Sequence, residues 1–215
     1  MPPTVLLVSF SFTGQTRRVA EAMAETFRSY DWNVVEVPLR LVDARYPLSL
    51  PWHPFWQQLL GWIRPQVLQL QCNFAVPEGF GSGPPHVDIV CIGSPTWWLL
   101  PAIPVTSFLR STLASQLLHD RSFAVFAVAR SFWRLNAWRV TALARRCGGR
   151  HIASRGFVFP GNQLQSFLTL AIHLKGGTSP ARAWGIPLHP YGLAADTLRA
   201  AQGFAEALAT GRGSD

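Results

Sequence analysis

The chain has 215 residues, 48% of them hydrophobic and only 14% charged, which suits one well-cored domain and excludes a disordered segment. No run approaches the roughly eighteen apolar residues of a membrane span, and the N-terminal MPPTVLLVSF lacks the basic flank of a signal peptide. The formal net charge of +8 directs attention to anionic partners.

Thr4 to Val8 is a compact apolar run of the kind found in a parallel strand covered on both faces. It leads through Ser11, Phe12, Thr13, Gly14, Gln15 and Thr16 into a helix whose Val19, Met23 and Phe27 recur at helical spacing. Three hydroxyls and a glycine at a helix N-terminus make a seat for a phosphate. The same residues could equally be an ordinary N-cap. Neither Gly-x-Gly-x-x-Gly nor Gly-Lys-Ser/Thr is present, so the dinucleotide and triphosphate loops are absent.

Asn33 to Pro38 reads as a second strand closed by its proline. A long crossover follows, with an aromatic insertion at about residues 46–75. There Trp52, Phe55, Trp56, Leu59, Leu60 and Ile63 fall on one helical stripe that Pro65 breaks. The stripe suits an aromatic lid, a dimer interface or an extension of the core. His53 has no carboxylate or metal partner in the pattern and is not read as catalytic. His86 to Gly93 is a third strand of parallel type, and it ends in Ser94, Pro95, Thr96, Trp97 and Trp98. Two adjacent tryptophans beyond a buried strand are costly to leave in water. A flat aromatic cofactor would cover them, and so would the lid. Pro101 to Leu118 is predicted as a helix and Arg121 to Val128 as a fourth strand. Ala129, Arg130, Ser131, Phe132 and Trp133 form the loop after it. A basic helix over Leu135 to Cys147, a fifth strand over His151 to Phe159, a second insertion at about 161–192 and a last helix over Leu193 to Leu208 complete the chain.

Cys72, Cys91 and Cys147 are scattered and show no metal-ligand spacing, so no metal site is expected. Together with the absent signal peptide this points to the cytoplasm. From Arg121 to Ala195 there is no acidic residue, while ten Arg and Lys residues occur there. This one-signed span suits a phosphorylated cofactor, an acidic carrier protein or another anionic ligand, or else is a solvated helix face. No nucleic-acid-binding motif accompanies it. His173 and His189 lie late in the chain and read as structural.

Five apolar strands alternating with helices, the first followed by Ser-x-Thr-Gly-x-Thr, resemble the flavodoxin-like family. The resemblance implies a single domain over residues 1–215. It would be a three-layer, doubly wound α/β fold with a five-stranded parallel sheet in the order 2-1-3-4-5 and insertions after strands 2 and 5. Ser11 to Thr16 is similar to the family's FMN-phosphate loop, with Gln15 where Asn is common. Gly93 to Trp98 is similar to the loop flanking the isoalloxazine ring. In that strand order both loops open on one crevice. The third family loop usually carries glycines and often an acid, whereas here it is Ala129-Arg130-Ser131-Phe132-Trp133. An arginine there would favour a reduced anionic flavin. The implied function is an FMN-dependent oxidoreductase that moves hydride from NAD(P)H to a quinone or another flat apolar acceptor, with no side-chain nucleophile and with a homodimer among the implied states. The alternative is an accessory or binding protein on the same fold without redox activity. The PWHPFW, GNQLQSF and SPARAWGIPLHP segments are similar to a flavodoxin-like group linked to dialkylresorcinol-type aromatic lipid biosynthesis.

Overall fold

The computed structural model describes residues 1–46, 61, 63–81, 86–97, 99–160, 165, 169, 172, 182–183, 186–187 and 191–211. In chain order they form β1 (Thr4–Phe10), α1 (Gln15–Ser29), β2 (Asn33–Leu41), β3 (Phe74–Ala75), β4 (Ile89–Trp97) and β5 (Leu100–Pro101). Next come α2 (Ile103–Phe108), α3 (Thr112–Leu118), β6 (Ser122–Ala129), α4 (Trp133–Arg146) and β7 (Arg150–Val158). The paired β8 (Arg182–Ala183) and β9 (Ile186–Pro187) and the final α5 (Ala195–Ala209) close the chain.

The main sheet runs β3-β2-β1-β4-β6-β7, with β5 paired to β4. It therefore has seven strands where five were expected. The five long strands are parallel neighbours. The two additions, β3 and β5, are two-residue antiparallel pieces that carry too little apolar sequence to be read as strands.

Every residue of β1 is buried, and successive side chains face opposite cores as the pleat requires. Leu6, Val8 and Phe10 face one core with Val105, Phe108, Leu117 and Val140. Val5 and Leu7 face the other, with Val19, Met23, Phe27, Phe204 and Leu208. Thus α1 and α5 cover one face of the sheet and α2, α3 and α4 the other, giving three layers. Each fully buried Val, Met or Phe of α1 contributes about 1.5–3 kcal/mol to holding that helix down.

Three local expectations are corrected. Pro38 does not end β2, which runs on to Leu41. At Pro38 the strand pairs with β1 on one side, and β3 joins only at Arg40, so the missing N–H falls where little ladder is lost. Pro65 does not stop the helical turn over residues 63–67. Its carbonyl still accepts from the Leu70 N–H at 2.9 Å. The single helix over Pro101 to Leu118 is two, α2 and α3, because the Ser111 hydroxyl caps a new start by accepting from the Ala114 N–H. Most of the aromatic stripe, Trp98 and most of the second insertion lie outside the described residues.

Candidate functional site

The carboxyl ends of β1, β4, β6 and β7 lie side by side, with Ser9 opposite Gly93, Ser94 opposite Ala127 and Ala129 opposite Val158. The chain turns to opposite faces after β1 and after β4. This is the switch-point geometry at which an open α/β sheet leaves a crevice.

At its first edge, Gly14 stands at the start of α1 with φ of 81°, in the left-handed region that favours glycine. No side chain caps the helix, so the ordinary N-cap reading of Ser11 or Thr13 does not describe this turn. The first intrahelical bond is Arg18 N–H to the Gly14 carbonyl at 3.0 Å, which leaves the preceding amides of the turn without an intrahelical acceptor. The first turn holds no acid but carries Arg17 and Arg18, the wrong sign for the positive end of the helix dipole. Beside it, the Ser11 Oγ is buried with no hydrogen-bond partner among the described residues. The Tyr191 phenol lies buried near the Thr13 side chain. Burial pushes that phenol above its ordinary pKa, against the lowering effects of Thr13 and Arg130. Arg130 lies over the Phe159 ring at 5.5 Å, and burial holds its guanidinium below the usual value.

Gln15 plays a different part. Its Oε1 accepts from the Leu193 N–H at 3.0 Å and from Arg18 Nη1 at 3.3 Å, tying the loop to the segment before α5. Gly192, at φ of 122°, passes so close that a Cβ there would meet Gln15 and Arg18. Thr16 is buried in the first turn of α1.

The second loop is a continuation of β4 and not an irregular turn. Thr96 pairs with Pro101 and Trp97 with Leu100, making a tight hairpin with Leu99 at φ of 80° near its tip. Gly93 precedes it because a Cβ would fall 2.3 Å from the Phe126 ring and 2.8 Å from Ser9 Cβ. Ser94 is fully buried, and its hydroxyl turns onto the Pro95 carbonyl at 3.2 Å. Trp97 meets Phe12 edge-on at 5.4 Å and Phe10 at 5.6 Å, so the two loops do converge.

In the third loop, Ala129 is buried, Arg130 and Ser131 are half-buried, and Phe132 is 56% exposed with φ of 58°. Trp133 is seated on Gly156, where a Cβ would come within 2.1 Å of its indole. It thus packs on β7.

Three glutamine and asparagine residues matter here that sequence reasoning passed over. Gln66 is wholly buried, donates to the carbonyls of Trp97 at 3.0 Å and Pro101 at 2.7 Å, and accepts from the Ile103 N–H at 3.2 Å. Gln69 adds a bond to Pro101 at 3.1 Å. The end of the aromatic insertion therefore braces the tryptophan hairpin. Asn136, also wholly buried, donates to Thr96 Oγ1 at 2.8 Å, and its own Oδ1 is buried without a partner. The available signal was amides at i, i+3 spacing in an otherwise apolar stretch, QVLQLQ, which has many innocent explanations.

Among the described residues no group of His, Cys, Asp and Glu could hold a metal ion, and no helix is long and apolar enough to cross a membrane. All three cysteines are free and buried.

No protein-family profile and no curated protein matches the chain. Solved structures do. A flavoprotein from Lactobacillus acidophilus NCFM in complex with FMN is 14% identical, with a TM-score of 0.54 over 72% of this chain and 93% of that one. A flavodoxin from Streptococcus pneumonia TIGR4 is 13% identical, with a TM-score of 0.51 over 97% and 99%. The rubredoxin oxygen:oxidoreductase of Desulfovibrio gigas, 13% identical, gives 0.51 over 98% of this chain but 36% of that longer one. These likenesses define the fold as flavodoxin-like α/β with a mostly parallel sheet.

Proposed function

We propose that this protein is an FMN-binding oxidoreductase of flavodoxin-like fold that moves hydride from NAD(P)H to a quinone or another flat apolar acceptor. The observation that carries the reading is the buried, partnerless Ser11 hydroxyl beside the uncapped start of α1. An orphaned buried hydroxyl costs about 1–3 kcal/mol, and two arginines in the first turn are adverse to the dipole. A bound phosphate removes both penalties. The residues fit the group: Ser11, Thr13 and Thr16 offer hydroxyls, the first amides of α1 point outward, and Arg130 supplies charge at the next loop. The FMN complex of the Lactobacillus acidophilus flavoprotein supports the same choice.

FMN, when bound, supplies two-electron chemistry at its ring, so no protein nucleophile is required. The chain itself provides position and exclusion of water. With FMN bound, the αL turn at Gly14 would let backbone approach the phosphate, and Trp97, braced by Gln66, would form one wall of the ring site. Phe132, Pro95 and Thr96 would line the rest of that wall and Arg130 and Ser131 its far rim, with Ser94 and Ala129 buried beneath them as supports. Trp98, which the sequence assigns to the same wall, lies outside the described residues. Asn136 holds Thr96 in place through its side-chain amide.

A second reading is a flavodoxin-fold accessory protein in aromatic lipid or polyketide-type biosynthesis without redox work. It is favoured by Trp133, which is spent on Gly156. A visible spectrum of the purified protein before and after addition of FMN separates the two. Flavin bands that stay with the protein through gel filtration, with NAD(P)H oxidation by a quinone, support the first reading. A protein that takes up no FMN leaves the second.

A further inference from the structure

α4 carries its apolar stripe into the core through Ala137, Val140, Leu143 and Ala144. Its opposite face is built differently from an ordinary solvated helix. Leu135 is 40% and Trp138 63% exposed. Among them and along the helix stand Arg134, Arg139, Arg145 and Arg146, and α4 contains no acid at all. Arg110 at the α2–α3 junction donates Nη1 to the Gln69 carbonyl at 2.7 Å, and burial first, then the field of Arg139 and Arg146, holds its guanidinium below the usual value. Asp120, on the turn before β6, is engaged by His119 at 2.9 Å. An exposed tryptophan ringed by arginines is the composition of an interaction hot spot.

We infer that the exposed face of α4, centred on Trp138 and flanked by Arg139 and Arg146, docks an acidic protein surface that offers an apolar socket. Charge complementarity decides the kind of partner. A second copy placed face to face would set arginine against arginine with no acid of α4 to pair them. A membrane-surface helix presents a wide, separate apolar face, whereas here that face is already used by the core. Two exposed apolar side chains, Leu135 and Trp138, interleaved with guanidinium groups match a carboxylate-rimmed protein patch. The inference is independent of whether FMN is bound.

The test uses the full chain and two defined probes: a purified acyl carrier protein without its prosthetic arm, as a small acidic helical protein, and a synthetic amphipathic helix of Glu and Leu. Both lack any group for the proposed cofactor site. Calorimetric binding is expected, and it weakens about tenfold on raising salt from roughly 50 to 300 mM. Trp138→Ala, Arg139→Glu and Arg146→Glu should each weaken it about tenfold, with unchanged circular dichroism. Arg40→Glu, an equal charge change on β2, should leave it within about twofold. The inference is overturned if neither probe binds, or if Arg40→Glu weakens binding as much as Arg139→Glu. It is equally overturned if the face binds anionic lipid vesicles in place of the probes, or if the chain forms a dimer that Trp138→Ala dissolves.

Discussion

Among the described residues, nothing takes up the Ser11 hydroxyl. Its removal therefore separates stability from binding. Ser11→Ala should leave the FMN-free protein as stable as the parent or up to about 1 kcal/mol more so. The same change should weaken FMN affinity about tenfold, since a charge-assisted hydrogen bond is lost. Thermal melts and FMN titration of both proteins check the pair. Loss of stability without loss of affinity would assign Ser11 to the scaffold. Asp43 shows the opposite economy. Its carboxylate accepts from the Arg45 guanidinium at 2.9 and 2.6 Å, from the Arg45 N–H at 3.1 Å and from the Asn73 N–H at 2.9 Å. The Arg45 guanidinium, with the two backbone amides, holds it well below the usual carboxylate range against the opposing effect of burial. A depressed folded-state pKa contributes stability that is present above the unfolded value near about 3.9 and is lost as pH falls below it. Asp43→Asn should cost about 1–3 kcal/mol at neutral pH and lessen the acid-induced loss, read by denaturant unfolding across pH.

At the scale of elements, the hairpin of β4 and β5 is where the site is aimed. Its approach depends on Gly93, whose neighbours Phe126 and Ser9 leave no room for a methyl group. Gly93→Ala should therefore destabilise by about 1–3 kcal/mol through overpacking. It should also shift the hairpin enough to impair FMN uptake, and urea unfolding together with FMN titration would show both. The hairpin in turn leans on Gln66 and Gln69 from the insertion. The described end of this long crossover thus has a structural role, since it satisfies the carbonyls that a short antiparallel pair leaves open.

For the whole molecule, the proposed cofactor ties the two faces of the sheet together. The hydroxyl loop leads into α1 on one face, and the tryptophan hairpin leads into α2 on the other. A ligand that binds only the folded chain adds about 4 kcal/mol at a thousand times its dissociation constant. FMN should accordingly raise the thermal midpoint in a concentration-dependent way, while riboflavin, which lacks the phosphate, should raise it much less. Equal shifts with both would rule out the phosphate seat. Four of the ten cations in the acid-free stretch from Arg121 to Ala195 fall on α4, with no acid beside them on that helix.

Buried parallel strands and amphipathic helices were legible because period and hydrophobicity are local properties. Val5 to Val8, Ile89 to Ile92 and Phe123 to Val128 could be nothing else, and Val19, Met23 and Phe27 named the buried stripe of α1. The hydroxyl loop was legible too, since a glycine and three hydroxyls beside a helix start are close in sequence. What the chain alone left open depends on atoms far apart along it. The partnerless state of Ser11, the capture of Gln15 by Leu193, the seating of Trp133 on Gly156 and the buried amides of Gln66 and Asn136 all follow from which groups meet across the sheet. Residue types offer hydrogen-bond donors and acceptors; only the tertiary packing decides which of them are satisfied from within and which are left for a ligand.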